Sequence, residues 1–434
     1  MVERHRHPLR MAPAPPPDGR TAFSHSLYSC IIIPIIAAVD INKASGTSWT
    51  MASVFMPRLM RIGAGASRGL SEALLSIGCQ RPLIVTDKFM STSGLLDPLK
   101  ESLDASGIHA VVFDGVVPDP TTTSLDAGIA MATASACDAV VGFGGGSSID
   151  SAKAIACLAV HQGPLARFKA PAEAPAGLPV IAIPTTAGTG SEVTKVLIVT
   201  DCSTDEKMLV MGSGLLPSVA LVDYELTMKK PYRLTADNGL DAYCHALEAY
   251  VSRKATPFTD TLALGACRTI VRHLRTACAT PSDRNAREAL MLAATQAGIA
   301  FSNASVTLIH GMSRPVGARF HVPHGLSNAL LLPKLTAFSL EGAPERYADA
   351  SRASGFADDS DSDVAACNKL VDGLYALCSD VEVPTLSELG VSRADFVAAA
   401  PIMAEHALAS GSPNNNPIVP SAEAIQGLYE EVYA

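Results

Sequence analysis

The chain has 434 residues, 48% of them apolar and 17% charged, with a formal net charge of −9. That length and apolar share supply two domain cores of ordinary size. The acidic balance, with no basic run after the first twenty residues, argues against a nucleic-acid or anionic-membrane surface, so small molecules are the expected partners.

Residues 1–50 differ from the rest: four Arg and three His fall by position 25, followed by an apolar run at 30–39 that Pro34 interrupts. A bilayer-spanning helix needs about 20 apolar residues, so this run is too short. The segment is expected to be either a cleaved targeting peptide, which would make the location mitochondrial, or an extension without a packed fold, with Met51 the effective start. The ten cysteines show no C-x-x-C pair and read as reduced core thiols of a cytoplasmic protein. Cys244, beside His245, belongs with the core on this reading.

Over 51–231 short β-branched runs at 82–87, 110–113, 139–143, 179–183 and 219–223 alternate with amphipathic stretches at 95–105 and 123–136. That alternation predicts an α/β domain with a parallel sheet covered on both faces, binding ligands at the carboxyl ends of its strands. Asp87 ends the first of these runs, where a carboxylate can hold ribose hydroxyls and repel a 2′-phosphate. The turn GGGSSID at 144–150 (Gly144, Gly145, Gly146, Ser147 to Asp150) follows a strand and opens a predicted helix at 151–159, which makes an anion site suited to a pyrophosphate. A second polar loop, PTTAGTGSE at 184–192, offers the hydroxyls of Thr185, Thr186 and Thr189. Here the acid precedes the glycine turn by 57 residues, whereas the usual dinucleotide-binding order has the turn first.

From 232 to 434 the pattern turns helical, at 240–253, 260–278, 286–303, 362–378, 393–408 with a break expected at Pro401, and 422–432. An all-α second domain is predicted, with the substrate cleft between it and the sheet. Two of its stretches are chemically dense. Asp241 and His245 stand at i, i+4 on one helix face. The segment 310–325 packs His310, His321 and His324 beside Arg314 and Arg319, a density of ionisable groups that a core does not carry unless they are paired or bound to metal. A carboxylate and imidazoles without a thiolate suit a divalent first-row ion. Pro315, Gly317 and Pro323 are expected to break the helix after His310 and turn the chain back. Helical spacing from His310 would aim Arg314 into the same cleft.

The motifs GGGSSIDSAKAIA at 144–156, PTTAGTGSEVT at 184–194, GLDAYCHALEAYVS at 239–252 and HGMSRPVGARFHVPHGLSNA at 310–329 resemble those of the iron-containing, or group III, alcohol dehydrogenases, from about residue 61 to the C-terminus. The resemblance implies a dehydroquinate synthase-like nucleotide domain followed by a helical metal domain. It implies Asp241, His245, His310 and His324 as ligands of Fe(2+), with Zn(2+) an alternative, and NAD held by Gly145, Gly146, Ser147, Asp150, Thr185, Thr186, Thr189 and Asp87. It also sets Lys207 near the nicotinamide ribose. Many members carry a further histidine where this chain has Arg314. The proton is expected to come from water, a ribose hydroxyl or His321, the histidine left over once ligands are assigned.

The expected activity is metal-dependent, NAD(H)-linked interconversion of a small primary alcohol or hydroxy acid and its aldehyde, in a cytoplasmic homodimer. Three alternatives stand beside it: a hydroxyacid-oxoacid transhydrogenase that keeps its nicotinamide bound, a metal-dependent cyclase of similar architecture, and a catalytically silent assembly module.

Overall fold

The computed structural model describes residues 51–204 and 206–433, and the expectations for residues 1–50 lie outside them. Ala52–Ala434 form one compact unit. Its first half runs β1 (Leu59–Ile62), α1 (Leu70–Ser76), β2 (Pro82–Asp87), α2 (Lys88–Thr92), α3 (Asp97–Ala105), β3 (Val111–Val116), α4 (Asp126–Ala134), β4 (Ala139–Gly144) and α5 (Gly146–Val160). The strands β5 (Val180–Pro184), β6 (Val196–Asp201), β7 (Glu206–Met211) and β8 (Val219–Val222) follow.

Six strands pair in parallel in the order β1-β8-β5-β4-β2-β3. Strands β4, β5 and β8 are buried along their whole length, because helices cover both faces and each face must be apolar. Successive side chains divide accordingly. Leu83, Val85 and Val140 pack on one face with Leu125 and Ile155. Ile84, Val141 and Phe143 pack on the other with Leu70, Leu74 and Leu99. The α/β sheet domain expected from the alternating runs is present. Two features were not expected: the edge strand β1, and the separate antiparallel hairpin of β6 and β7, which pairs Thr200 with Lys207 near its tip.

The second half is helical: α6 (Tyr232–Val251), α7 (Pro257–Ala279), α8 (Arg284–Asn303), α9 (Leu308–Phe320), α10 (His324–Ser339), α11 (Pro344–Ser354), α12 (Asp363–Asp380), α13 (Arg393–Ala409) and α14 (Ala422–Tyr433). Side-chain caps start several of them. Thr256 accepts from the Thr259 amide ahead of α7, and Asp283 accepts from the Ala286 amide ahead of α8. Helix α9 leaves α8 at 103°. Among the described residues no single helix is long and apolar enough to cross a membrane.

Two proline expectations are corrected. Helix α9 runs unbroken through Pro315 and Gly317 and ends at His321, whose φ is +56°. Helix α13 likewise runs through Pro401. An interior proline costs about 3 kcal/mol, and burial of each large apolar side chain returns about 1.5–3 kcal/mol. Leu308, Ile309, Met312 and Val316 in α9, and Phe396 and Met403 in α13, are all buried, so packing outweighs the local penalty.

The two halves meet closely. Gly190, with φ +63°, lies against Gly298 of α8, and a Cβ added to Gly190 would come within 2.5 Å of the Gly298 Cα. Only glycine fits on either side of this contact. Beside it the Thr295 hydroxyl donates to Glu192 at 2.8 Å.

Candidate metal centre and its cleft

Helix α6 carries Asp241 and His245 one turn apart on its buried face, the first turn of α9 carries His310, and His324 opens α10. Three imidazole Nε2 atoms converge on Asp241 Oδ1, at 3.5 Å from His310, 3.6 Å from His324 and 4.0 Å from His245. One candidate ligand atom from each of the four lies within 4.8 Å of all the others. Metal–nitrogen bonds of about 2.0–2.1 Å in a tetrahedral site put ligands about 3.4 Å apart, so the spacing fits a first-row ion. Asp241, His245 and His310 are buried, while the His324 side chain is 40% exposed and faces the opening.

The surroundings hold these groups in position. His245 stacks on Phe301 with ring centroids 4.2 Å apart, and on His310 at 4.4 Å. Glu248, one turn beyond His245 on α6, is buried. It accepts hydrogen bonds from the amides of Thr307 (2.9 Å) and Ile309 (2.8 Å) and from the Thr307 hydroxyl (2.8 Å), while its other oxygen meets His310 Nδ1. One carboxylate thereby caps α9 and turns the His310 Nε2 toward the cluster. On α10, Asn328 Nδ2 donates to Asp241 Oδ1 at 2.7 Å and lies 3.0 Å from His310 Nε2. Neither Glu248 nor Asn328 was singled out in the sequence. The available signal was spacing: Glu248 stands seven residues after Asp241, and Asn328 four after His324, each on a face that already carries a candidate ligand.

Electrostatics follow the packing. Burial pushes the His245 imidazole down to about 3, with Asp241 opposing the shift. Burial alone would raise the Asp241 carboxyl, but His245, His324 and His310 hold it well below the usual carboxylate range. Burial would also lower His310, and Glu248 turns this into a net rise.

The cluster lines a cleft between the sheet and the helices. Of the expected nucleotide-binding residues, Gly146, Ser147, Asp150, Thr189 and Lys207 line it. Asp87, Gly144, Gly145, Thr185 and Thr186 do not line it, and Thr186 borders a smaller pocket with Lys230 and Asn238. At Gly144, with φ +151°, a Cβ would strike the Ser148 hydroxyl at 2.3 Å and come within 4.0 Å of Asp87, so the acid and the turn are neighbours although 57 residues apart in the chain. Adjacency of β2 and β4 brings this about. The hydroxyls of Thr185 and Thr186 are buried and have no protein partner. Such atoms cost stability unless a ligand uses them, and with the glycine turn they fit a dinucleotide.

One expected role needs correction, that of His321, and two expected cleft residues have protein partners of their own. Both oxygens of Asp150 are engaged within the protein, by the Ser191 hydroxyl and by the Ile198 amide at 2.9 Å, so this acid braces the turn from below. Lys207 pairs with Asp119 at 3.1 Å. His321 is the exposed left-handed residue that ends α9, and it does not line the cleft. Its backbone conformation turns the chain toward α10, which points the side chain to solvent. Arg314 does line the cleft, with Nη1 donating to the Ser412 hydroxyl at 3.1 Å. Cys244 is a buried core thiol, which burial pushes well above its usual range.

A parallel sheet with a glycine turn, facing a helical domain with a buried carboxylate-imidazole cluster, defines a class of two-part protein in which a nucleotide and a metal ion can meet in one cleft. The family model described as iron-containing alcohol dehydrogenase matches residues 57–224, and that of the family's C-terminal part matches 235–433. The chain is 36% identical over 390 residues to the 1,3-propanediol dehydrogenase of Klebsiella pneumoniae, covering 89% of this chain and 100% of the relative. It is 36% identical over 378 residues to the NAD-dependent methanol dehydrogenase of Bacillus methanolicus, covering 86% and 98% respectively. The solved structure of a 1,3-propanediol oxidoreductase superposes with a TM-score of 0.85 at 35% identity, covering 88% of this chain and 100% of that one. This chain belongs to the iron-containing alcohol dehydrogenase family.

Proposed function

We propose that this protein interconverts a small primary alcohol or hydroxy acid and its aldehyde by hydride transfer with NAD(H), using Fe(2+), or alternatively Zn(2+), held by Asp241, His245, His310 and His324. The observation that carries the reading is the convergence of one carboxylate and three imidazoles at the end of a cleft whose other wall is the glycine turn. When bound, the metal supplies Lewis-acid polarisation of the substrate oxygen and the nicotinamide supplies or accepts the hydride.

The chain's own residues do the rest. Asp241 provides the single negative charge of the cage. Glu248 fixes which nitrogen of His310 faces inward. His324, on the open side, borders the substrate's approach. Gly146, Ser147 and Thr189 line the nucleotide's side of the cleft, with Thr185 and Thr186 behind them and Asp87 beside the turn on the adenosine side. With His321 outside, the alcohol proton exchanges with solvent at the cleft mouth.

Family membership makes this an alcohol–aldehyde oxidoreductase. The transhydrogenase, cyclase and silent-module readings draw no support from these relatives, which bear dehydrogenase or reductase names. The proposed setting is a cytoplasmic homodimer, in keeping with the nine described cysteines, all free thiols.

The test is NADH formation from NAD and 1-propanol or 1,3-propanediol by protein loaded with Fe(II) or Zn(II), against chelator-treated protein. NADH should appear in bulk solution with the alcohol alone and only with metal. A requirement for an added oxoacid acceptor would instead favour the transhydrogenase.

A further inference from the structure

We propose that Arg314 makes the cleft a receptor for a carboxylate at the far end of the substrate, so that the compounds turned over here are ω-hydroxy acids and ω-oxo acids of a few carbons. This rests on the reading above that the reacting oxygen sits at the Asp241–His324 cluster.

Because α9 is unbroken through Pro315, Arg314 stands one full turn after His310 on the same helix face, and both line the cleft. One turn is about 5.4 Å along the axis, which sets the scale of the substrate. Among the described residues Arg314 also has no carboxylate in direct contact, and Glu248 acts on it only through space. Its guanidinium has five N–H donors, yet among the described residues its one hydrogen bond runs from Nη1 to the Ser412 hydroxyl. Among the described residues no carboxylate lies within 4.0 Å of it. Arg233, Arg275, Arg284, Arg346 and Arg352 all have such a partner.

The acids nearby are committed elsewhere. Asp119 pairs with Lys207, Asp150 is held by Ser191 and Ile198, and Glu248 is consumed by the start of α9 and by His310. A partly buried guanidinium with spare parallel N–H groups matches a carboxylate bidentately. Ser412 orients it by fixing Nη1.

The experiment uses Fe(II)-loaded enzyme with NADH and compares kcat/KM for 4-oxobutanoate and butanal, which share a chain length, in wild type, Arg314→Met, Arg314→Lys and Ser412→Ala. The wild type should prefer 4-oxobutanoate, and in Arg314→Met the acid-to-neutral ratio should fall about 10²-fold, the scale of a charged hydrogen-bonded pair. Arg314→Lys, which keeps charge but loses the fork, and Ser412→Ala, which frees it, should give smaller losses of the same ratio, and they serve if Arg314→Met does not fold. Calorimetry with glutarate as a non-reacting probe should show binding that competes with 4-oxobutanoate and is lost in Arg314→Met. Equal losses on both aldehydes, a wild type that prefers butanal, or glutarate competing with NADH in place of the aldehyde would each overturn the proposal; the last would assign Arg314 to the cofactor phosphates. If neither aldehyde is reduced, the underlying activity fails. The glutarate arm still decides the anchor: binding lost in Arg314→Met supports it, and binding unchanged overturns it.

Discussion

Glu248 touches no substrate and no candidate ligand position of its own, yet the direction of the His310 imidazole depends on it. Replacing it by Gln exchanges one accepting oxygen for a donor and leaves the His310 Nδ1 or the start of α9 badly served. Glu248→Gln should weaken metal binding about 10- to 100-fold, read by competition with a chromogenic chelator; an unchanged affinity would mean that the helix alone orients His310. Thr185 offers a prediction of opposite signs. Its hydroxyl is buried and unpartnered, at a cost of about 1–3 kcal/mol. Thr185→Val should therefore raise the melting temperature while weakening NAD binding, and a loss of stability would show that the hydroxyl is satisfied within the protein. At this scale the residues of the cluster were legible, because a carboxylate and imidazoles so densely set have no use in a core. Glu248 and Asn328 were not, since a lone Glu or Asn in a helix ordinarily reads as surface.

Between side chain and domain, the element that ties the glycine turn to its surroundings is α5, through Lys153. This buried ammonium donates to the carbonyls of Thr194 and Val196, both at 2.8 Å, and to the Thr194 hydroxyl at 3.1 Å. Lys153→Met would leave those carbonyls without their ammonium donor and the neighbouring Asp150 and Glu192 without a counter-charge, and should destabilise the protein by about 3 kcal/mol or more, measured by urea unfolding. Burial pushes the Lys153 ammonium down to about 8 from 10.5, with Asp150 and Glu192 opposing. The unfolded chain thus holds its proton where the folded one has shed it. The group's contribution to stability is present above about 10.5 and lost as pH falls through about 8. The gap between wild type and variant should widen from pH 8 upward, and a gap that narrows would contradict this picture.

The continuous apolar runs of β4, β5 and β8 announced themselves in the sequence, as did α6, α7 and α8. The edge strand β1 did not, being four residues long and partly exposed. The hairpin of β6 and β7 carries a period-two burial pattern, but it lies amid parallel strands and was absorbed into their alternation. Pro315 and Pro401 misled because a local rule was applied where burial decides.

For the molecule as a whole, the cluster draws α6, α9 and α10 together, so a bound ion is also a fold stabiliser. At a free metal concentration of about 1,000 times Kd, mass action contributes about 4 kcal/mol. Chelation should lower the melting temperature of wild type and leave that of His310→Ala much less affected; equal shifts in both would mean that the ion binds elsewhere. The two-domain plan was legible from where strand signals stop and helical period begins. His321 was misjudged because a histidine near two candidate ligands in sequence was assumed to be near them in space, and a single left-handed residue turned it outward.

The contact of Gly190 with Gly298 has an evolutionary meaning. The loop behind the nucleotide turn and a helix of the opposite half approach with no room for a single added carbon. A larger side chain at either position would force the loop and the helix apart, so each glycine constrains the other, and the spacing of the two walls here is set by what these residues lack.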